Sequence, residues 1–362
     1  MTPVSYRIEW LEEPAAFAEL EPGWDEMAGP GSRPFDLHCW FSAWFEAFGE
    51  PGTMRVCVAW DGERLAAALP LFQRTRRALM GMANVHSPAF GPVGHDPEAV
   101  RAVVAAALAR CPGRLELPGV PVAEPWVATL AEEAGRAGRG HVAAPGHVSP
   151  IVITEGAYED WRASSKPRWG APLERFRRKM ARDHEAELSI VAPPADLEGE
   201  LARGFAVEAS GWKGQSGTAI LSDERTTAFY RRLAAGFAAR DGLRLSWIGL
   251  DGDWAAFDLC LLHGGRLYLL KTGYDERFRR LAPGLVMRLS VVERCFELGL
   301  RAHELLGDES EWKRKFATGE RVHSTFHAFE TGVRGRASRA YRLRARPQLK
   351  RAYERALDRS RR

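Results

Sequence analysis

Apolar runs of strand length alternate along this chain with longer stretches whose apolar positions recur at helical spacing. In the first half, FDLHCWFSAWFEAFG places Trp40, Phe41, Trp44, Phe45 and Phe48 at helical intervals. MRVCVAW and RLAAALPLFQR flank Asp61-Gly62, a two-residue hairpin signal. NVHSPAFGPVGHDP reads as a loop, PEAVRAVVAAALAR as a helix, RLELPGV as a strand and residues 126–136 as another helix. Residues 138–150 carry Gly and Pro and read as a joint between domains. The second half gives strands at PIVIT, LSIVAPP, LRLSWIGL, WAAFDLCLL, RLYLLKTGY, RAHELLG and RVHSTFHAFE. Its helices fall at PLERFRRKMARDHEAE, DLEGELARGFAVEASGW, RTTAFYRRLAAGFAAR and the stretch after Pro283. Both halves run through helix, hairpin, loop, helix and strand, which suggests a duplicated unit. The pattern predicts an α+β (mixed α/β) chain with domains at 1–145 and 146–331 and a basic tail at 332–362.

Length and composition agree with that division. The 362 residues suit about two domains, and 45% hydrophobic content is ordinary for globular protein. Cys39, Cys57, Cys111, Cys260 and Cys295 are scattered without C-x-x-C spacing, which predicts reduced thiols in a cytoplasmic protein. The first residues show no basic n-region or apolar h-region, so no signal peptide is expected, and the longest apolar run, near 103–109, is far short of a membrane span. Net charge is +4. Beyond Gly332, Arg and Lys dominate and only Glu354 and Asp358 oppose them. That tail is expected either to be a solvated helix or to meet an anionic membrane surface or RNA. The remainder is acidic, so DNA is not expected as a partner.

Residues 267–284, LYLLKTGYDERFRRLAPG, carry the most chemistry. An apolar strand passes through an Arg-rich loop to Ala-Pro-Gly at the mouth of a helix. Orphan amides and the positive end of the helix dipole favour an anion there.

Three segments carry a resemblance: EASGWKGQSGTAI, LKTGYDERFRRLAPG and LLGDESEWKRKF. With FDLHCWFSAWFEAFG and ERLAAALPLF before them, they resemble the GNAT-superfamily N-acetyltransferases of the cellulose-biosynthesis type. These are tandem GNAT-fold proteins related to the Fem-type aminoacyltransferases. The resemblance implies two GNAT-like domains, each a mixed, mostly antiparallel sheet flanked by helices, with acyl-CoA entering between neighbouring strands. Of the loop pattern R/Q-x-x-G-x-G/A, Arg279 and Gly284 fit; Ala282 stands at the first Gly, and Pro283 has no N–H.

The donor site is therefore expected at Tyr274, Arg279, Arg280, Ala282, Gly284 and Leu285, with acetyl-CoA or another acyl-CoA as co-substrate. Glu208, Trp212 and Lys213 cluster at a helix end before a Gly-rich loop, and family likeness turns that loop towards substrate. Lys271 interrupts an apolar strand. Asp308 and Glu309 follow a strand and Gly307, where a carboxylate could take the proton of an attacking amine; Asp275 and Glu276 compete for that role. Lys313 matches a Lys of the resembling family and would stabilise an oxyanion or bind a phosphate. Catalytic roles are thus expected at Glu208, Lys271, Asp308 and Lys313, and acceptor contacts at Trp212, Lys213 and Asp275. Trp312 and Phe316 read as packing, and His303 as an ordinary strand histidine. The histidines lack metal-ligand spacing, so no metal is expected. No G-x-S-x-G elbow or Cys-His pair points to a covalent acyl-enzyme.

The expected activity is transfer of an acyl group to an amine of a cell-envelope or exopolysaccharide precursor. It would run by direct attack, in the cytoplasm or at the inner face of the membrane. The rivals are a Fem-type transferase using aminoacyl-tRNA on a peptidoglycan precursor, and a non-catalytic GNAT scaffold at the membrane.

Overall fold

The computed structural model describes residues 5–164 and 167–342, without the side chains of 167–169 and 212. Most of the basic tail therefore lies outside the described residues. The strands are β1 Arg7–Leu11, β2 Met54–Asp61, β3 Arg64–Thr75, β4 Ala78–Gly81, β5 Arg114–Pro121, β6 Gly140–Ile153, β7 Ala186–Ala192, β8 Leu243–Leu250, β9 Asp253–His263, β10 Arg266–Tyr274, β11 Ala302–Glu304 and β12 Gly319–Phe329. The helices are α1 Pro14–Ala18, α2 Glu21–Ala28, α3 His38–Phe48, α4 Pro97–Arg110, α5 Val127–Arg136, α6 Tyr158–Ser164, α7 Pro167–Asp183, α8 Leu197–Ser210, α9 Trp212–Gln215, α10 Glu224–Ala238, α11 Pro283–Glu297, α12 Glu311–Phe316 and α13 Gly332–Ala340. No helix among the described residues is long and apolar enough to cross a membrane.

The chain divides into two compact units, and both are discontinuous. The first comprises Met1–Gly29, Glu50–Gly146 and Val322–Arg362; the second comprises Pro30–Gly49 and His147–Arg321. Sequence alone suggested a single cut at 145/146. Instead the chain leaves the second unit through β12 and takes residues 30–49 into it. Residues 138–150, expected as a joint, hold most of strand β6. Its tail, Ile151 to Ile153, pairs with β11, and Pro150 just before it serves only as an acceptor, its carbonyl receiving the Leu305 amide at 3.0 Å.

In the first unit β1, β2, β3 and β4 pair antiparallel in turn, β4 pairs β5 parallel, and β5 pairs β12 antiparallel. In the second, β7, β8, β9 and β10 pair antiparallel in turn, β10 pairs β11 parallel, and β11 pairs β6 antiparallel. The order and sense of the pairs are identical, and in each unit a helix (α4 or α11) links the two parallel strands. The duplication inferred from element order is thus a duplication of topology.

Apolar periodicity explains the core of the second unit. In α11, Val286, Met287, Leu289, Val291, Val292 and Cys295 are buried against β9 and β10. Gly299, at φ +64°, ends that helix, with the Leu300 amide returning to the Cys295 carbonyl. On the opposite face Trp40 of α3 meets Phe229 of α10 edge-on at 5.5 Å. Arg225 of α10 donates to the Ala47 carbonyl at 2.8 Å. Each such aromatic pair adds about 1 kcal/mol beyond area burial.

Candidate functional site

The parallel strands of the second unit stay paired for only three residues. Arg266, Leu267 and Tyr268 face Ala302, His303 and Glu304, and then β10 runs on alone to Tyr274. The cause lies just past β11. Leu306 and Gly307 both take left-handed backbone conformations, at φ +49° and +56°, and turn the chain away. Lys313 of α12 holds that turn: its ammonium donates to the carbonyls of Leu306 and Asp308. The hydroxyl of Ser149 donates to the Gly307 carbonyl at 3.1 Å.

On its other side β10 remains bound to β9. The Asp275 amide donates to the Ala255 carbonyl, which makes Tyr274 and Ala256 a non-hydrogen-bonded pair. The backbone N–H and C=O of Tyr274, and of Thr272 two residues earlier, therefore point to the open edge. A cavity of about 470 Å³ opens there, lined by Glu208, Gly211, Lys213, Thr272, Gly273, Tyr274, Arg279, Ala282, Gly284, Leu285, Arg288 and Trp312.

Helix α8 delivers the acidic side of this cavity. Asp196 caps its start by accepting from the Gly199 amide, and Glu208 lies in its last turn. Gly273 permits the approach, because a Cβ there would stand 2.5 Å from the Glu208 Cα. The Glu208 carboxylate is fully buried and accepts from Lys213 Nζ at 3.1 Å and from the Ile220 amide at 2.8 Å. Lys213 Nζ also donates to the Thr272 carbonyl at 2.7 Å, on the open edge. Lys271 lies over the Tyr230 ring at 4.9 Å; burial pushes its ammonium down to about 8, against the pull of Glu208. A β-bulge between Leu269 and Lys271 puts it on the face of α8 and α10, not on the cavity.

The far wall is the loop into α11. Ala282 takes a left-handed conformation, φ 49° and ψ 48°, at a cost of about 1–2 kcal/mol that a Gly there would avoid. Its carbonyl receives the amides of both Leu285 and Val286. With Pro283 lacking an N–H, the Gly284 amide is the donor this first turn leaves to a ligand. The cradle expected from sequence is thus narrower in amides and leans on Arg279. Arg279 and Arg280 are exposed, but Arg280 does not line the cavity.

The structure gathers Glu208, Lys213, Tyr274, Arg279, Ala282, Gly284 and Leu285 round one cavity. It does not bring Lys271, Asp275, Arg280, Asp308 or Lys313 to its wall. Asp275 caps the 3-10 turn that follows β10, accepting from the Arg277 amide at 2.9 Å and its guanidinium at 2.7 Å. Burial raises its pKa, but these bonds outweigh it and leave the carboxyl below its usual range. Asp308 is exposed outside the cavity. Lys313 is lowered to about 8 by burial and is engaged by two carbonyls. Trp212 opens α9, but its side chain lies outside the described residues.

Sequence reasoning passed over Thr272 and Arg288 and read Trp312 as packing. Arg288 sits mid-helix among apolar residues, 1% exposed, with Asp258 Oδ2 at 2.6 Å and His303 Nε2 at 2.7 Å. A charge on the apolar face of a helix, matched by Asp258 inside the apolar run WAAFDLCLL, was a signal in the sequence. Trp312, expected as packing, lies against that guanidinium at 5.5 Å.

The first unit closes the equivalent opening. Phe90 stands between β4 and β5: its amide donates to the Gly119 carbonyl at 3.0 Å, and a Cβ on Gly81 would stand 2.4 Å from its ring. At the start of α4 the Asp96 carboxylate caps the Glu98 and Ala99 amides, placing negative charge where an anion would sit. Among the described residues no group of three or more His, Cys, Asp and Glu is placed to hold a metal ion.

Residues 171–314 match the family model described as an acetyltransferase (GNAT) domain. A comparison with curated protein sequences finds no match. Among solved structures, FemX is similar at 10% identity over 93% of this chain and 99% of its own, with a TM-score of 0.59. The C-terminal domain (DUF2156) of a protein described as a lysylphosphatidylglycerol synthetase from Agrobacterium fabrum is 13% identical over 88% and 93%, with a TM-score of 0.53. L-PGS from Bacillus licheniformis is 13% identical over 81% and 91%, at 0.51. At such identities the likeness is one of fold, and the fold is of the GNAT type.

Proposed function

We propose that this protein is an N-acyltransferase that takes its acyl group from acyl-CoA, most simply acetyl-CoA, by direct attack of an amine. The observation that carries the reading is the parting of β10 from β11 beside the start of α11. It leaves an unpaired strand edge and a cationic helix mouth on one cavity. A pyrophosphate would rest against the Gly284 amide and Arg279. The thioester carbonyl would lie along β10, its oxygen receiving the Tyr274 amide as negative charge develops. The amine would form its bond to the carbonyl carbon as the C–S bond breaks, with thiolate leaving. Of the four residues expected to be catalytic, Glu208 alone lines the cavity. Its oxygens keep lone pairs beyond the two bonds they accept, and we assign it the amine proton. The acceptor class, a cell-envelope or exopolysaccharide precursor, rests on the sequence resemblance alone.

Calorimetric titration with acetyl-CoA tests the reading. Wild type is expected to bind; Arg279→Ala is expected to raise the donor KM about tenfold with little change in kcat, and Arg280→Ala to do much less. A wild-type protein that ignores acetyl-CoA overturns the donor assignment.

One observation favours a second reading. Helix α7 exposes Arg175, Arg178, Lys179 and Arg182, and its Leu173 and Phe176 pack with Phe278 and Leu281 of the loop that bears Arg279 and Arg280. A cationic surface of that extent beside a narrow amide cradle suits aminoacyl-tRNA as donor, and consumption of aminoacyl-tRNA in place of acetyl-CoA would select it.

A further inference from the structure

One buried guanidinium bridges three elements at the point where the strands part. Arg288 of α11 reaches Asp258 on β9 and His303 on β11, so it spans β10, which lies between them. All three side chains are buried, with exposures of 1%, 0% and 0%. The third link runs inward. Asp258 pairs in register with Thr272, whose carbonyl on the open edge accepts from Lys213. His303 Nδ1 lies 3.1 Å from the Leu267 carbonyl, so it donates there and leaves Nε2 to accept from Arg288. Leu267 and His303 are the middle pair of the three that remain joined before the strands diverge.

We propose that Arg288 is a positioning residue that locks α11 to β9 and β11 at once and thereby holds the edge of β10 open at Thr272 and Tyr274. The ends that must stay in register are the two that a donor would bridge. These are the start of α11, with Gly284 and Arg279, and the strand edge that aims the carbonyl. Lysine cannot replace the arginine, because one ammonium lacks the planar fork that meets a carboxylate on one side and an imidazole on the other. Only the consequence for acyl transfer rests on the function proposed above; the lock itself is a statement about the fold.

The experiment uses the full chain and three variants, Arg288→Met, Arg288→Lys and Asp258→Asn, with two readouts. Peptide-level hydrogen exchange is expected to rise at least tenfold over residues 269–274 and 302–306 in each variant, while 243–250 of β8 stays as in wild type. Nitrogen NMR is expected to show His303 neutral and Nδ1-protonated at pH 5 in wild type, and titrating at higher pH in Arg288→Met. Burial and the Arg288 charge together hold its pKa at about 3, and the variant removes the second cause. Unchanged exchange at 269–274 overturns the proposal. So does a variant whose only defect is weaker acetyl-CoA binding, since that would make Arg288 a contact for the donor. If Arg288→Met does not fold, Asp258→Asn, nearly isosteric, gives the same reading. If wild type binds no acetyl-CoA, the donor assignment fails, and the exchange data still decide the lock.

Discussion

At the scale of single residues the second unit gathers charges in buried or half-buried places, Lys271 among them. Lys271 has an apolar strand on either side of it in sequence and an aromatic ring beneath it. Its ammonium is lowered from 10.5 to about 8, by burial first and by Lys213 second. Between those two values the unfolded chain holds more protons than the folded one, so folding stability rises with pH across that window. Replacing Lys271 by Met is therefore expected to stabilise the protein at pH 7. The gain is at most about 3 kcal/mol, less about 1 for the lost ring contact. That gain should shrink by pH 9.5, and urea melts at the two pH values measure it. A difference that does not change with pH would mean that Lys271 is charged and well compensated throughout.

At the scale of elements, the site depends on how closely α8 can lie on β10. Gly273 sets that distance, and the atom its Cβ would strike belongs to the Glu208 backbone, which cannot swing away. Gly273→Ala should thus cost about 1–3 kcal/mol by overpacking and push Glu208 and Lys213 off the cavity. A drop in melting temperature with lost turnover is the expected result; an unchanged melting temperature would show that α8 has room to move. This contact illustrates what could be read beforehand. The strands and helices of the second half were legible because each is long and bounded by hairpin signals at Asp251-Gly252-Asp253 and Gly264-Gly265. The loop into α11 was legible because Pro283 and Gly284 mark a helix start. What escaped was settled by partners distant in sequence. Residues 30–49 have a strong helical pattern, yet nothing local says that their aromatic stripe belongs to Phe229. Residues 138–150 read as a joint, although they hold most of the strand whose end, Ile151 to Ile153, pairs with β11. The bulge that turns Lys271 from the cavity is invisible in a run of alternating residues, and Asp308 looked poised for catalysis only because the turn at Leu306 and Gly307 could not be foreseen.

At the scale of the whole molecule, the two units repeat one topology and differ at the opening between their parallel strands. One is filled by Phe90 and capped by Asp96; the other is open and uncapped. If the second unit takes its donor as proposed, one sealed opening leaves one candidate donor site among the described residues, and charge outside it would serve binding of a different kind. The segment 343–362, which carries most of the tail's excess of Arg and Lys, is the first candidate. If acyl-CoA is the donor, only a few phosphates are neutralised, so raising salt from 50 to 200 mM should weaken acetyl-CoA binding less than about tenfold. A nucleic acid held at six or more phosphates would lose about a thousandfold. Deleting 343–362 should leave the acetyl-CoA dissociation constant within about twofold of wild type and abolish sedimentation with vesicles of anionic lipid, where each basic residue contributes about 1 kcal/mol. Loss of acetyl-CoA binding on that deletion would place the tail in the donor site and contradict a cavity built from α8, β10 and α11 alone. Vesicle binding that survives it would move the membrane contact to the exposed face of α7, where Arg175, Arg178, Lys179 and Arg182 stand beside the donor loop.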